Sequence, residues 1–220
     1  MLNLSLSHLH RPADPAVTQP WLLVLMHGVG SNEQDLFGLA AHVPAHFHVL
    51  SLRAPNVMGP GAYAWFQFSV TAAGRVINEA QEVASRTQVA QVVAAAAQQL
   101  GVPAERVVVG GFSQGGIMSL SLLLTQPALL QATMVMHSRL LEQVLPLIAP
   151  AAALQGKHLW VSHGTVDAVI PLAHAHAIRS AVQELPITLR YSEFHNAHEI
   201  TRDELAQAMQ WLQALSQPQD

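Results

Sequence analysis

The stretch Val107-Val108-Val109-Gly110-Gly111-Phe112-Ser113-Gln114-Gly115-Gly116 decides the fold. A β-branched run ends in two glycines, a serine follows one residue later, and two more glycines open an apolar segment. The pattern predicts a buried strand, a sharp turn and a helix, with Ser113 at the apex. Gly111-x-Ser113-x-Gly115 has the spacing of a nucleophile elbow, in which small flanking residues let strand and helix approach closely. Such a turn holds its serine in strained backbone, a cost tolerated mainly where function uses it.

Outward from the elbow, composition sets the frame. At 220 residues the chain is read as a single domain over 1–220, long enough to bury a substantial core. Half the residues are apolar and 11% are charged, which excludes a disordered chain. A formal charge of −4 without any Lys/Arg run argues against a nucleic-acid partner. With no cysteine, a disulfide framework, a thiol nucleophile and thiolate metal ligands are excluded. Met1 to Thr18 lacks the basic start and apolar core of a signal peptide. The apolar stretches are broken by residues such as Pro146 and Pro150, and none has the length of a membrane span. No integral membrane segment and a cytoplasmic location are therefore expected. The oligomeric state is open, a homodimer being one option.

Strand-like and helix-like segments alternate along the chain. Leu2, Leu4 and Leu6 alternate with polar residues and suggest an edge strand. Trp21 to Met26 and Phe47 to Leu52 read as buried strands; between them Asn32 is a candidate N-cap for a helix to about His42. Arg53 to Gly74 is rich in Gly and Pro, holds Tyr63, Trp65 and Phe66, and has no clean periodicity. It reads as a long functional loop, and the segment 53–77 as a lid or acyl-pocket insertion. A helix over Asn78 to Leu100, closed by Gly101 and Pro103, precedes the elbow. Ala132 to Met136, His158 to Ser162 and Ile187 to Tyr191 are further strands. Helices follow from Pro171 to Glu184 and from Glu199 to Leu215. Strands separated by helices imply an α/β fold, a mostly parallel sheet with helices on both faces.

Ligands bind such sheets at the carboxyl ends of the strands. Ser113, Asp167 and His198 each follow a predicted strand, 54 and then 31 positions apart. Their order is that of α/β-hydrolases rather than of chymotrypsin-like or subtilisin-like enzymes. A serine hydroxyl is a poor nucleophile until an imidazole accepts its proton. A buried carboxylate on the other ring nitrogen holds the required tautomer and stabilises the imidazolium. Backbone N–H groups of Gln114 and of Val29, in the His27-Gly28-Val29-Gly30 turn, are the candidate oxyanion donors.

Further motifs extend the pattern: Arg53-Ala54-Pro55, Ala64-Trp65-Phe66, Gly111-Phe112-Ser113-Gln114-Gly115-Gly116, His163-Gly164-Thr165-Val166-Asp167 with Pro171, and His198-Glu199-Ile200. With the His27 turn, and in this order, they resemble the phospholipase/carboxylesterase family of α/β-hydrolases, which includes bacterial carboxylesterases and acyl-protein thioesterases. The resemblance runs from about Leu23 to Leu212. It implies an α/β-hydrolase fold, a Ser113–Asp167–His198 triad, an oxyanion hole at Val29 and Gln114, and hydrolysis of carboxylic esters or thioesters without cofactor or metal. It leaves open a lysophospholipase or thioesterase activity on long acyl chains. Trp65 and Phe66 are candidate acyl-pocket residues. Two stretches depart from the family pattern. Met136-His137-Ser138 stands where a Leu-Ser-Gly stretch is usual, and Phe194-His195-Asn196-Ala197 replaces a glycine-rich segment.

Each residue has a plainer reading. Ser113 would serve as a small residue in a tight turn, and Asp167 as a turn former before the Pro171 helix. Among thirteen histidines, His195 competes with His198, while His27 and His163 read as structural or pocket-lining. A metal reading of His195-Asn196-Ala197-His198-Glu199 fails the zincin spacing, because Arg202 stands where a second histidine is required. A non-catalytic binding protein on the same fold is the remaining alternative.

Overall fold

The computed structural model describes residues 2–71 and 74–217. The chain begins with strands β1 (His8–Arg11) and β2 (Trp21–Met26), helix α1 (Gln34–Phe37) and strand β3 (Phe47–Leu52). Four short strands follow: β4 (Asn56–Gly59), β5 (Ala62–Ala64), β6 (Phe68–Thr71) and β7 (Gly74–Ile77). Helix α2 (Glu79–Leu100), strand β8 (Val107–Phe112), helix α3 (Gln114–Thr125) and strand β9 (Ala132–Met136) form the middle. The remainder is α4 (Ala151–Leu154), β10 (Lys157–Gly164), α5 (Ala173–Val182), β11 (Ile187–Phe194) and α6 (Arg202–Leu215).

Seven strands make one sheet in the order β1-β3-β2-β8-β9-β10-β11. Only β1 is antiparallel to its neighbour. The order turns back between β2 and β8, so the crevice at the carboxyl ends of these two strands is the topological switch point where ligands bind. Met26 pairs with Gly111 there, and Phe112 pairs with Met136. This is the mostly parallel α/β architecture expected.

Side chains alternate across the strands and build two cores. Leu22, Val24, Met26, Val107 and Val109 face one side, where Val89, Val93, Leu120 and Ile178 from α2, α3 and α5 cover them. Leu23, Leu25, Val108, Met134 and Trp160 face the other, against Leu36, Ala208, Trp211 and Leu212 from α1 and α6. Because both faces are covered, the central strands read as continuous apolar runs.

Three expectations need correction. The edge strand is His8–Arg11, not Leu2 to Leu6; Leu6 is buried, and Leu2 and Leu4 pack beside the core. The Arg11 guanidinium fixes this edge by donating to the carbonyls of Ala40, Val43, Pro44 and Phe47. The helix after Asn32 is one short α turn followed by a 3-10 turn over Gly38–Ala41. Its N-cap position is Glu33, which makes no side-chain cap bond; Asn32, one residue earlier, accepts from Gln34 N through Oδ1 at 3.0 Å. The stretch expected as a loop after Arg53 forms two antiparallel hairpins, β4–β5 and β6–β7.

Candidate active site

The elbow forms where the glycines predict it. Ser113 has φ 54° and ψ −116°, backbone that a non-glycine residue rarely adopts. The flanking glycines are required by space. A Cβ on Gly111 would meet the Gly115 carbonyl carbon at 2.2 Å, and one on Gly115 would meet the Met26 carbonyl oxygen at 1.9 Å. The next strand braces the turn: Ser113 N donates to Met136 O at 2.9 Å, and Ser138 Oγ donates to Ser113 O at 2.7 Å.

Asp167 lies just beyond β10 and His198 just beyond β11. Ser113 Oγ is 3.0 Å from His198 Nε2, and His198 Nδ1 is 2.7 Å from Asp167 Oδ2. With Nδ1–H donating to the carboxylate, Nε2 presents its lone pair to the serine hydroxyl. Asp167 Oδ1 accepts from the Val169 and Ile170 amides, each at 2.9 Å. Burial pushes the Asp167 carboxyl up, but hydrogen bonds from His198, Ile170 N and His137 together hold it down at about 2. This arrangement can take up a serine proton and stabilise the resulting imidazolium. His195, the competing histidine, is exposed and lies 3.3 Å from Thr165 Oγ1 instead.

The Val29 turn packs against the elbow: a Cβ placed on Gly28 would lie 3.4 Å from Ser113 Cβ. Gly30 N donates to Tyr63 O at 2.8 Å. Among the described residues, the amides of Val29 and Gln114 have no backbone or side-chain acceptor. Two free N–H groups at the elbow, one of them the first amide of α3, suit a developing oxyanion. His27 is structural: its Nδ1–H donates to Gly28 O, its Nε2 accepts from Ala54 N, and burial lowers its pKa. His163 donates to Ile170 O at 2.7 Å, and burial lowers its pKa as well.

Trp65 and Phe66 require a correction. They are 0% and 1% exposed and belong to the core rather than to an accessible pocket wall. Trp65 Nε1 donates to His27 O, tying the hairpin region to the Val29 turn. The Gln114 side chain holds the same segment, with Oε1 accepting from Trp65 N at 2.7 Å and Nε2 donating to Phe66 O at 2.6 Å. Arg53 pairs through two nitrogens with Glu33 and lies over the Tyr63 ring, a second tie between turn and hairpins.

Two residues beside the site were not evident from sequence. His137, at φ 48° after β9, and Glu204, in the first turn of α6, are both 0% exposed. His137 Nδ1 lies 3.0 Å from Asp167 Oδ2, and its Nε2 lies 3.1 Å from Glu204 Oε2. The sequence does carry a signal for Glu204. It occupies a position on the apolar stripe formed with Ala208, Trp211 and Leu212, where a lone charge needs a buried partner. His137, Asp167 and His198 offer metal-ligand atoms within 4.8 Å of one another. Asp167 Oδ2, however, already accepts from both rings at hydrogen-bonding distance, which leaves no room between them for an ion.

A family model described as phospholipase/carboxylesterase matches residues 11–216. The chain belongs to this family. Membership makes it a hydrolase of carboxylic esters and agrees with the α/β-hydrolase fold. No curated protein matches the chain in sequence. Among solved structures, a Bacillus cereus carboxylesterase is similar with TM-score 0.81 at 22% identity, over 97% of this chain and 96% of that one. Esterase PE8 gives 0.82 at 24% identity, over 96% and 100% of the two chains. A Zea mays acyl-protein thioesterase 2 gives 0.77 at 18%, over 95% and 98%. At these identities the likeness concerns the fold. A phospholipase/carboxylesterase family member thus carries, at its switch point, a hydrogen-bonded serine, histidine and aspartate.

Proposed function

We propose that this family member hydrolyses esters through an acyl-enzyme on Ser113, with His198 as general base and acid and Asp167 as its orienting carboxylate. The observation that carries the reading is the unbroken chain from Ser113 Oγ to His198 (3.0 Å) to Asp167 (2.7 Å). His198 takes the hydroxyl proton as Ser113 attacks the substrate carbonyl, and the Val29 and Gln114 amides bind the oxyanion. The histidine then protonates the leaving alcohol or thiol, and water activated by the same ring releases the acid.

A cleft of about 870 Å³ supports an extended acyl group. Its walls include Leu140 and Leu141, which follow Ser138 in the chain, and Val169 and Ile170, which follow Asp167, together with the charged Arg75, Arg139 and Glu142. Val76 and Ile77 of β7 complete an aliphatic side. With aliphatic and charged walls together, the cleft gives room for acyl groups longer than acetyl, as esters or thioesters.

The experiment compares wild type with Ser113→Ala, His198→Ala and His195→Ala on aryl esters of increasing acyl length. The first two substitutions each lower kcat by about a millionfold, because the residues act as a unit. Asp167→Asn costs about ten-thousandfold, and His195→Ala leaves activity near wild type. Rates rise from acetyl toward longer chains. Retained activity in His198→Ala with loss in His195→Ala would overturn the assignment.

A further inference from the structure

His137 joins the triad to a second carboxylate. Its ring lies between Asp167 Oδ2 at 3.0 Å and Glu204 Oε2 at 3.1 Å, with all three side chains fully buried. Asp167 Oδ2 also accepts from His198. Glu204 Oε1 accepts from Ser162 Oγ at 2.6 Å, and Asn196 Nδ2 lies 3.4 Å from its Oε2. A carboxylate surrounded by donors accepts hydrogen bonds, so each contact with His137 needs the proton on the ring nitrogen. With both carboxylates ionised, both nitrogens carry protons and the ring is a cation between two anions.

The titratable groups facing His137 are Asp167, Glu204, His163 stacked at 5.3 Å, and His198 edge-on at 5.7 Å. Burial alone would push His137 down; Glu204 through its hydrogen bond and charge, and then Asp167, outweigh this and raise its pKa. The backbone marks the position too. Among the described residues, only Ser113 and His137 are non-glycine residues at positive φ. Strain of this kind persists where surrounding structure enforces it. At His137 the enforcing contacts are the two carboxylates and a hydrogen bond from its own amide to Ser162 O at 2.9 Å.

We propose that His137 is a positioning residue for the ester hydrolysis, a buried imidazolium that fixes the Asp167 carboxylate toward His198, with Glu204 as the counter-ion that keeps it charged. The hydrogen-bonded chain then runs Ser113–His198–Asp167–His137–Glu204. His137 stops Asp167 Oδ2 from rotating away from His198, and its positive charge offsets part of the Asp167 charge that His198 feels. The proposal rests on Ser113, Asp167 and His198 acting as the triad.

The test uses the whole protein and an aryl ester. His137→Asn keeps a side chain that tolerates the left-handed backbone but is too short to reach both carboxylates. It lowers kcat by about 10- to 100-fold, the usual effect of a lost outer partner or a small misplacement of a reacting group. KM stays within about threefold, because no substrate contact is removed. Nitrogen-15 NMR of wild type at neutral pH shows two protonated ring nitrogens that disappear in His137→Asn, and Glu204→Gln removes the Nε2 proton.

A kcat in His137→Asn within about threefold of wild type would overturn the proposal. So would a singly protonated His137 ring in wild type, a reading that stands even if His137→Asn fails to fold. Failure of the triad reading is separate: it appears as activity retained in Ser113→Ala, whatever the protonation of His137.

Discussion

Ser113 and Gln114 occupy one turn but do different work. The serine sits in strained backbone with its hydroxyl on His198, while the glutamine, whose amide is proposed for the oxyanion, gives its side chain to the hairpin region. Removing that side chain strands two buried backbone groups, Trp65 N–H and Phe66 C=O, each worth about 1–3 kcal/mol when left unsatisfied. Gln114→Ala is therefore expected to destabilise by about 2 kcal/mol or more, seen as a lower urea midpoint. Because the Gln114 amide survives the substitution, chemistry at Ser113 persists in the folded fraction. The single-residue readings of Ser113, Asp167 and His198 came from strand-end position and residue type, both properties of the chain. The burial of Trp65 and Phe66 did not, because an aromatic pair in a Gly/Pro-rich stretch looks alike whether it faces a pocket or the core.

Among the elements, the close approach of α3 to β2 and β8 dictates the site. With the Met26 carbonyl 1.9 Å from a Cβ at position 115, Gly115→Ala must push the helix off the strand. Overpacking of this kind costs about 1–3 kcal/mol or more. At about 2–4 °C per kcal/mol for a chain of this size, the melting temperature drops by several degrees. Activity falls further than stability, since Ser113 and the Gln114 amide move together. The central strands were legible because burial on both faces leaves continuous apolar runs such as Trp21 to Met26. Peripheral elements were not. β1 is placed by the long-range bonds of Arg11, which no local pattern displays. The β4–β7 strands are 3–4 residues each, too short for alternation to stand out among turn residues. The last helix starts at Arg202 because Thr201 caps it, its Oγ1 accepting from Glu204 N, three residues after the expected start.

For the molecule as a whole, histidine content sets the response to acid. Burial lowers the pKa of His10, His27, His46, His48, His158, His163 and His174. The unfolded chain then binds protons that these residues refuse in the folded state, so stability is fully present above about 6.5 and is lost as pH falls below it. His137 has the opposite sign: its raised pKa stabilises below 6.5, and that contribution fades as pH rises through its folded value. Asp167, held at about 2, contributes at neutral pH and loses its effect only in strong acid. Seven lowered groups oppose one raised group, and the urea midpoint is expected to fall from pH 7 to pH 5. A midpoint that rose over that interval would mean the histidines are less buried than described.

The central claim is that Ser113 carries the acyl group. Purified protein treated with a fluorophosphonate, digested and analysed by mass spectrometry tests this most directly. The account predicts one adduct, on the peptide containing Ser113, formed quickly in wild type and very slowly in His198→Ala. An unlabelled Ser113 in protein that still turns over esters would contradict it.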